Sequence, residues 1–330
     1  MSSRESRWLV TVALQLTRHM WRSHFEKMQS HSVLPAHASP LICVERALRT
    51  YFASEQSVQD AEDPVRFRAQ MLHRDDDVDD TKGSNGEDEI KGGRSVHETL
   101  MGISGAAYVT QLAVILSAWN ETGTNPLLSL STVTDTAEVL ALAIEGVTPE
   151  FTSRQMVLAI STDIIHEFVA TIQTGVEEAT LAVVTSLVDR IGGSRGLLTL
   201  LGFQQTVGSR KIPPLTLRQC LAAFTQRHTP KEPLMVGARA FSKHCARSSS
   251  GWWGKLGGND HAKNAIAQAK VRELLACATW KNIHSLPHAL ATMEIRNALG
   301  YGARWDAETH TFRGFLEPPM ANGHEIKWRH

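Results

Sequence analysis

The chain has 330 residues, with 34 Lys and Arg balancing 34 Asp and Glu. At 42% hydrophobic and 21% charged residues it has the make-up of a globular protein with room for two cores. The most apolar run, Leu112 to Trp119, falls well short of the ~20 residues of a membrane span, so no membrane span is expected. The neutral total hides an uneven split. Residues 1–208 carry 16 basic and 26 acidic side chains, a net of −10, while residues 209–330 carry 18 and 8, a net of +10. Such asymmetry suits nucleic acid, acidic lipid, or docking of one half on the other. Cys43, Cys220, Cys245 and Cys277 lie far apart with no CxxC pair, which speaks against a zinc ribbon or redox dithiol and suits a reducing compartment.

In chain order, Arg7 to Met28 reads as an amphipathic helix. Arg4, Arg7, Arg18 and Arg22 would suit a mitochondrial presequence, but Glu5 and Glu26 count against one. A cytoplasmic or nuclear protein is the expectation, with mitochondrial import the lesser alternative. Leu41 to Phe52 and Pro64 to Leu72 form two further helices, the second with proline in its first turn. Residues 1–73 are thus a helical segment. Residues 74–95, RDDDVDDTKGSNGEDEIKGGRS, hold too little apolar surface to offset the entropy of ordering and read as a disordered acidic loop. Asp75, Asp77 and Asp79 echo a calcium loop, but Asp80 and Gly86 occupy the positions that need Gly and Glu.

Residues 96–208 read as a helical bundle. His97 to Asn120 is apolar almost all round and should be central. A helix capped by Thr134 or Asp135 follows, then a run carrying Met156, Ile160, Ile164, Ile165 and Val169, then Val176 to Ile191 and Arg195 to Phe203. His166-Glu167 lacks the second His of a zinc-protease helix, because Ala170 stands there.

Ser209 to Pro214, SRKIPP, marks the boundary of a basic domain, residues 209–330. It opens with helices over Thr216–Gln226, Glu232–Ala246 and Asn259–Ala278. After Pro287 the period falls from 3.6 to 2. Met293 and Ile295 alternate with Glu294 and Arg296, Tyr301, Ala303 and Trp305 alternate with Gly302 and Arg304, and Thr311 to Leu316 returns. The fold class expected is mainly α with a small α+β C-terminal domain, a three-stranded antiparallel meander packed on helices.

The C-terminal motifs FSKH (Phe241 to His244), SSSGWWG, WKNIH (Trp280 to His284), GYGARW (Gly300 to Trp305), FRGFLEP (Phe312 to Pro318) and GHEIKWRH (Gly323 to His330) resemble an uncharacterised eukaryotic family of plant and fungal type. That resemblance covers about the last 90 residues and implies no activity.

No complete catalytic motif is present. His284-x3-His288 has metal-ligand spacing, yet Pro287 interrupts a helix there. Gly254-Lys255 lacks the Ser/Thr and the first glycine of a phosphate loop, though the start of the Asn259 helix suits a looser anion site. Arg239-x4-His244 matches a spacing used by some helical ribonucleases. Neither cofactor nor metal is indicated. The densest feature is aromatic and basic: Trp252, Trp253, Trp280, Tyr301, Trp305, Phe312 and Trp328 interleaved with Lys255, Lys281, Arg296, Arg304, Arg313, Lys327 and Arg329. Such a mixture suits a protein interface or single-stranded nucleic acid, or simply the core of a small domain. Trp252, Trp253, Lys255, Trp280, His284, His288, Arg296, Tyr301, Arg304, Trp305, Arg313 and Trp328 are the candidate binding residues. The leading expectation is a non-enzymatic interaction or scaffold protein holding a protein partner. RNA or DNA binding comes second. An enzyme with a site around His244, His284, His288, Glu294 and Arg304 comes third.

Overall fold

The computed structural model describes residues 39–75, 96–129, 152–248, 251–285 and 290–318. All of these belong to the unit that begins at Ser39. The first expected helix, residues 76–95 of the acidic loop, and the helix at Thr134 or Asp135 lie outside the described residues.

The fold is mainly α-helical with a small antiparallel sheet near the C-terminus, as composition and period imply. In the first half, α1 (Pro40–Ala53) packs on α4 (Tyr108–Thr122), α7 (Thr162–Gln173) and α8 (Glu177–Ile191). The apolar stripe of α4 supplies the centre, with Leu112, Ile115, Leu116 and Trp119 all buried. Around it stand α2 (Pro64–Leu72), α3 (Val96–Leu100), α5 (Pro126–Ser129), α6 (Thr152–Leu158) and α9 (Gly193–Leu200). The single long helix expected over 97–120 is two, α3 and α4. Gly102, at φ 66°, turns the chain between them, and the Gly102 and Ile103 amides donate to the carbonyls of Ala278 and Leu275 instead of to a helix of their own.

The second half holds α10 (Leu217–Thr225), α11 (Val236–Arg247) and α12 (Asp260–Ala276). Thr216 caps α10 through a reciprocal box with Gln219, and the Asn259 side chain accepts from the Ala262 amide to cap α12. Helix α11 starts at Val236, later than the sequence suggested, because Pro233 precedes it in an extended turn whose Arg227 and Met235 form a bridge.

The sheet has four strands in sequential order, one more than the period indicates: β1 (Trp280–Ser285), β2 (Ala291–Arg296), β3 (Gly302–Asp306) and β4 (Phe312–Leu316). β1 escapes a reading by alternation because nearly every residue along it is buried, including Lys281, Asn282 and His284. Its outer edge is closed by residues 204–210. Lys281 and Ile283 carbonyls accept from the Gln204 and Arg210 amides, and Ser285 donates to Gly208.

Pleating divides the sheet into two faces. Ile283, Met293, Ile295, Ala303, Trp305 and Phe315 face α10, α11 and α12 and build an aromatic core with Phe224, Phe241 and Phe312. Asn282, His284, Thr292, Glu294, Arg296, Arg304 and Asp306 share the opposite face, which the register fixes by pairing Asn282 with Glu294 and Glu294 with Arg304.

Candidate active site

Glu294 is the hub of the polar face. It is 0% exposed, and its two oxygens take three partners. Arg296 Nε donates to Oε1 at 2.6 Å, Arg304 Nε donates to Oε2 at 2.7 Å, and His284 Nε2 lies 3.2 Å from the same Oε2. Three neighbouring strands thus deliver a carboxylate, an imidazole and two guanidiniums to one point. Burial alone would raise the Glu294 carboxyl, but Arg296, the His284 hydrogen bond and Arg304 together outweigh it and hold the carboxyl well below the usual range.

The two arginines differ. Arg296 is buried and fully engaged, with Nη1 donating to the carbonyls of Gly300 at 2.6 Å and Glu317 at 2.9 Å. Arg304 is the member of the group that reaches solvent, its side chain 19% exposed, and its terminal Nη atoms donate to no described residue. Opposite it on β4 stands Gly314, at φ 132°, where a Cβ would meet nothing within 4 Å. The face beside Arg304 is therefore open on that flank. On the other flank Asn282 is locked by Ser209 and Thr206, whose hydroxyls bond its amide at 2.8 and 3.0 Å.

A separate cluster joins α11 to the end of β4. Glu317 Oε1 accepts from Trp253 Nε1 at 2.8 Å and lies 2.8 Å from His244 Nε2. His244 packs edge-on against Trp253, whereas Arg239 pairs with Glu232 at the surface. The Arg239-x4-His244 spacing therefore does not form a common site.

The structure gathers Trp280, His284, Arg296 and Arg304 around Glu294. It does not gather the aromatic surface. Trp253, Tyr301 and Trp305 are buried, and the Trp305 indole donates to the Cys220 carbonyl. Trp252 stacks on Tyr301 at 4.2 Å and 5° with Lys270 4.2 Å over its ring, so its π-face is already engaged from within the fold. Lys255 is exposed on a turn, and Arg313 is exposed with Asp306 3.6 Å away. His288 and Trp328 lie outside the described residues. The His284-x3-His288 spacing is not helical, because His284 is in β1. Among the described residues no group of three or more His, Cys, Asp and Glu side chains could hold a metal ion, and no single helix is long and apolar enough to cross a membrane.

Glu294, absent from the binding candidates although named among residues for an enzyme, is the key member. Its signal was the strand period that put Glu294 and Arg296 on one face. Asn282, Thr206 and Ser209 gave no signal.

Residues 225–317 match the family model of the CdiA C-terminal tRNase toxin domain. The match covers α11, α12 and all four strands, and so every member of the Glu294 cluster. No curated protein and no solved structure matches the chain. The match to a tRNase domain corrects the expectation of a non-enzymatic scaffold, and with it protein binding and a nuclear setting as descriptions of the molecule. The packing agrees, since Trp253, Tyr301, Trp305 and Phe312, among the rings meant to form a docking surface, are core.

Proposed function

We propose that the C-terminal domain is a ribonuclease that cuts RNA of the tRNA class through the Glu294 cluster. The observation that carries this reading is the convergence of His284, Glu294, Arg296 and Arg304 on one sheet face inside the segment that matches a tRNase family.

The chemistry follows from what each group can do. RNA carries its own nucleophile, the 2′-hydroxyl beside the scissile phosphate. Cleavage by transesterification needs a proton acceptor for that hydroxyl, a proton donor for the departing 5′-oxygen, and positive charge on the phosphate. Glu294, held ionised, can only accept a proton. His284, whose Nε2 lies 3.2 Å from Glu294 Oε2, is left as donor. Arg304 offers its outer guanidinium edge to the phosphate, while Arg296 is tied to backbone carbonyls and holds Glu294 in place. A carboxylate clamped by two guanidiniums is a weak base at rest. When a phosphate draws Arg304 towards itself, the guanidinium on Oε2 moves aside and uncovers Glu294, which loses part of that partner and gains a nearby negative charge; both effects raise its proton affinity. The O2′–P bond then forms as the O2′ proton passes to Glu294. The P–O5′ bond breaks as His284 protonates the leaving oxygen. The products are a 2′,3′-cyclic phosphate and a 5′-hydroxyl, and the proton returns from Glu294 to His284 across their 3.2 Å contact.

The test is cleavage of total tRNA by the full chain, with end-group analysis of the fragments. Wild type should leave cyclic-phosphate ends, and His284→Ala should cut about 10²–10⁴-fold more slowly. Intact tRNA after incubation with wild type, or an unchanged rate in His284→Ala, would overturn the reading.

A further inference from the structure

The β3–β4 pair is irregular, and the irregularity sets a second cation beside the Glu294 cluster. Arg304 pairs with Gly314 and Trp305 with Phe312, so Arg313 is an extra residue with no partner on β3, a bulge. The bulge lets Phe312 and Phe315, three positions apart, both enter the apolar core, where their rings meet at 5.3 Å. In an unbroken strand one of them would face the other way. The two residues between them, Arg313 and Gly314, are left to the polar face. There Arg313 Nη1 lies 3.6 Å from Asp306 Oδ2, too far for a hydrogen bond. Asp306 is already committed, its Oδ1 accepting from the Glu308 and Thr309 amides of the hairpin turn. The Arg313 side chain is 41% exposed and donates to no described residue. Gly314, next to it and directly across from Arg304, has open space where a Cβ would stand. Arg296 and Glu294 are sealed, so the charges this face turns to solvent are those of Arg304 and Arg313.

We infer that Arg313 binds the phosphate next to the scissile one, so that the RNA strand crosses Gly314 with one phosphate on Arg304 and its neighbour on Arg313. This inference rests on the ribonuclease reading of the Glu294 cluster. The pair fixes the chemistry of the ligand. Two forked donors reach solvent beside a floor that carries no side chain, and they fit two linked anionic groups, as successive phosphodiesters are. Arg313 would hold the strand without touching a reacting atom, so it is a binding residue, and its loss should raise KM more than it lowers kcat.

Titration of the full chain with total tRNA over a range of salt, in a His284→Ala background that spares the RNA, tests it. Arg313→Gln should bind roughly 3- to 10-fold more weakly at low salt. Its slope of log affinity against log salt should be shallower by about 0.7–0.9, the share of one phosphate. Arg313→Lys, which keeps the charge, should recover most of that slope. Lys243 supplies the control. It is exposed on α11, whose Phe241 and His244 pack on Phe315 from the opposite side of the sheet, and Lys243→Gln should leave the slope unchanged. Because the Asp306 contact is long and exposed, Arg313→Gln should melt as its parent does. With His284 intact, cleavage by Arg313→Gln should show the loss mainly in KM, and cleavage by Arg304→Gln mainly in kcat. Arg304→Gln also separates the two claims. Weaker binding in Arg304→Gln with an unchanged slope in Arg313→Gln overturns the Arg313 assignment alone, and unchanged binding in both overturns the site on which it rests. An equal change of slope in Lys243→Gln, or a binding loss in Arg313→Gln matched by a fall in melting temperature, also overturns the assignment.

Discussion

Glu294→Gln is the sharpest test of how the polar face is held. The glutamine keeps the size of the side chain and one carbonyl oxygen, so packing is preserved. Among the described residues it removes the only carboxylate that touches Arg296 and Arg304. Arg296 is buried and would keep its charge with neutral carbonyl oxygens as partners and no carboxylate beside it among the described residues. Breaking a buried pair by deleting one partner costs about 3–5 kcal/mol, because the remaining charge is left uncompensated. Arg304 adds less, since its partial exposure lets water replace part of what is lost. A destabilisation of about 3–4 kcal/mol is therefore expected, or a melting temperature lower by roughly 5–7 °C for a unit that runs from Ser39 to His330. The sign with pH follows from linkage. The folded-state carboxyl sits below its unfolded value, so its contribution is present in full above the unfolded pKa of about 4.5 and fades as the solution becomes more acid. Urea unfolding of wild type and variant from pH 7 to pH 4 should show a constant gap at the upper end that begins to close towards the lower. A gap under ~1 kcal/mol at pH 7, or one that widens with acid, would refute the buried-hub argument.

Two further predictions concern the other buried cations. Among the described residues Lys281 has no carboxylate beside it: its ammonium donates to the Gly102 carbonyl at 2.9 Å and lies 5.0 Å over Phe203, and burial lowers its pKa to about 7. Between pH 7 and about 10.5 the unfolded chain binds the proton that the folded one has released, so wild-type stability should rise with pH across that window. In Lys281→Met that rise should be smaller, and equal slopes in denaturant titrations would show that the lysine stays charged. The two site arginines should part under Lys substitution. Arg296→Lys gives up a three-way clamp and should lower stability by ~1–3 kcal/mol, while Arg304→Lys should leave the melting temperature nearly unchanged and slow tRNA cleavage, because only the forked guanidinium grips phosphate bidentately. Equal losses of stability in both would remove the division of labour drawn between them.

Much of the architecture was legible because it rests on local signals. Pro64 in a first turn, the stripe on Val44, Leu48 and Phe52, and Asn259 ahead of an apolar period all mark helices that form where they should. What failed did so where tertiary contacts override local pattern. β1 is buried on both faces, so alternation says nothing about it. α3 and α4 separate because backbone groups of Gly102 and Ile103 are claimed by residues 275 and 278, a pairing that no short window reveals. The aromatic residues misled for a related reason. Ring density cannot tell a docking face from a core, and here Phe224, Phe241, Trp253 and Phe315 meet one another edge to face. The site was half legible. Glu294 and Arg296 alternate visibly with Met293 and Ile295, but only the register of three strands shows that Arg304 and His284 close on the same carboxylate.

The two faces of the sheet explain how such a centre survives inside a folded domain. A buried carboxylate, imidazole and two guanidiniums are costly to assemble, and a flexible loop would let them relax into solvent. Here the apolar face bears the stabilising burial: Met293, Ile295, Trp305 and Phe315 pin the strands to α10, α11 and α12. The polar face inherits that rigidity through the backbone, since each charged residue lies one position from an anchored apolar one. Glu294 cannot move without dragging Met293 and Ile295, nor Arg304 without Ala303 and Trp305. On the ribonuclease reading, the reacting groups are preorganised by residues that never touch substrate. Trp305 is then a positioning residue at most: it packs beneath the sheet, holds the Cys220 carbonyl, and fixes where Arg304 can reach.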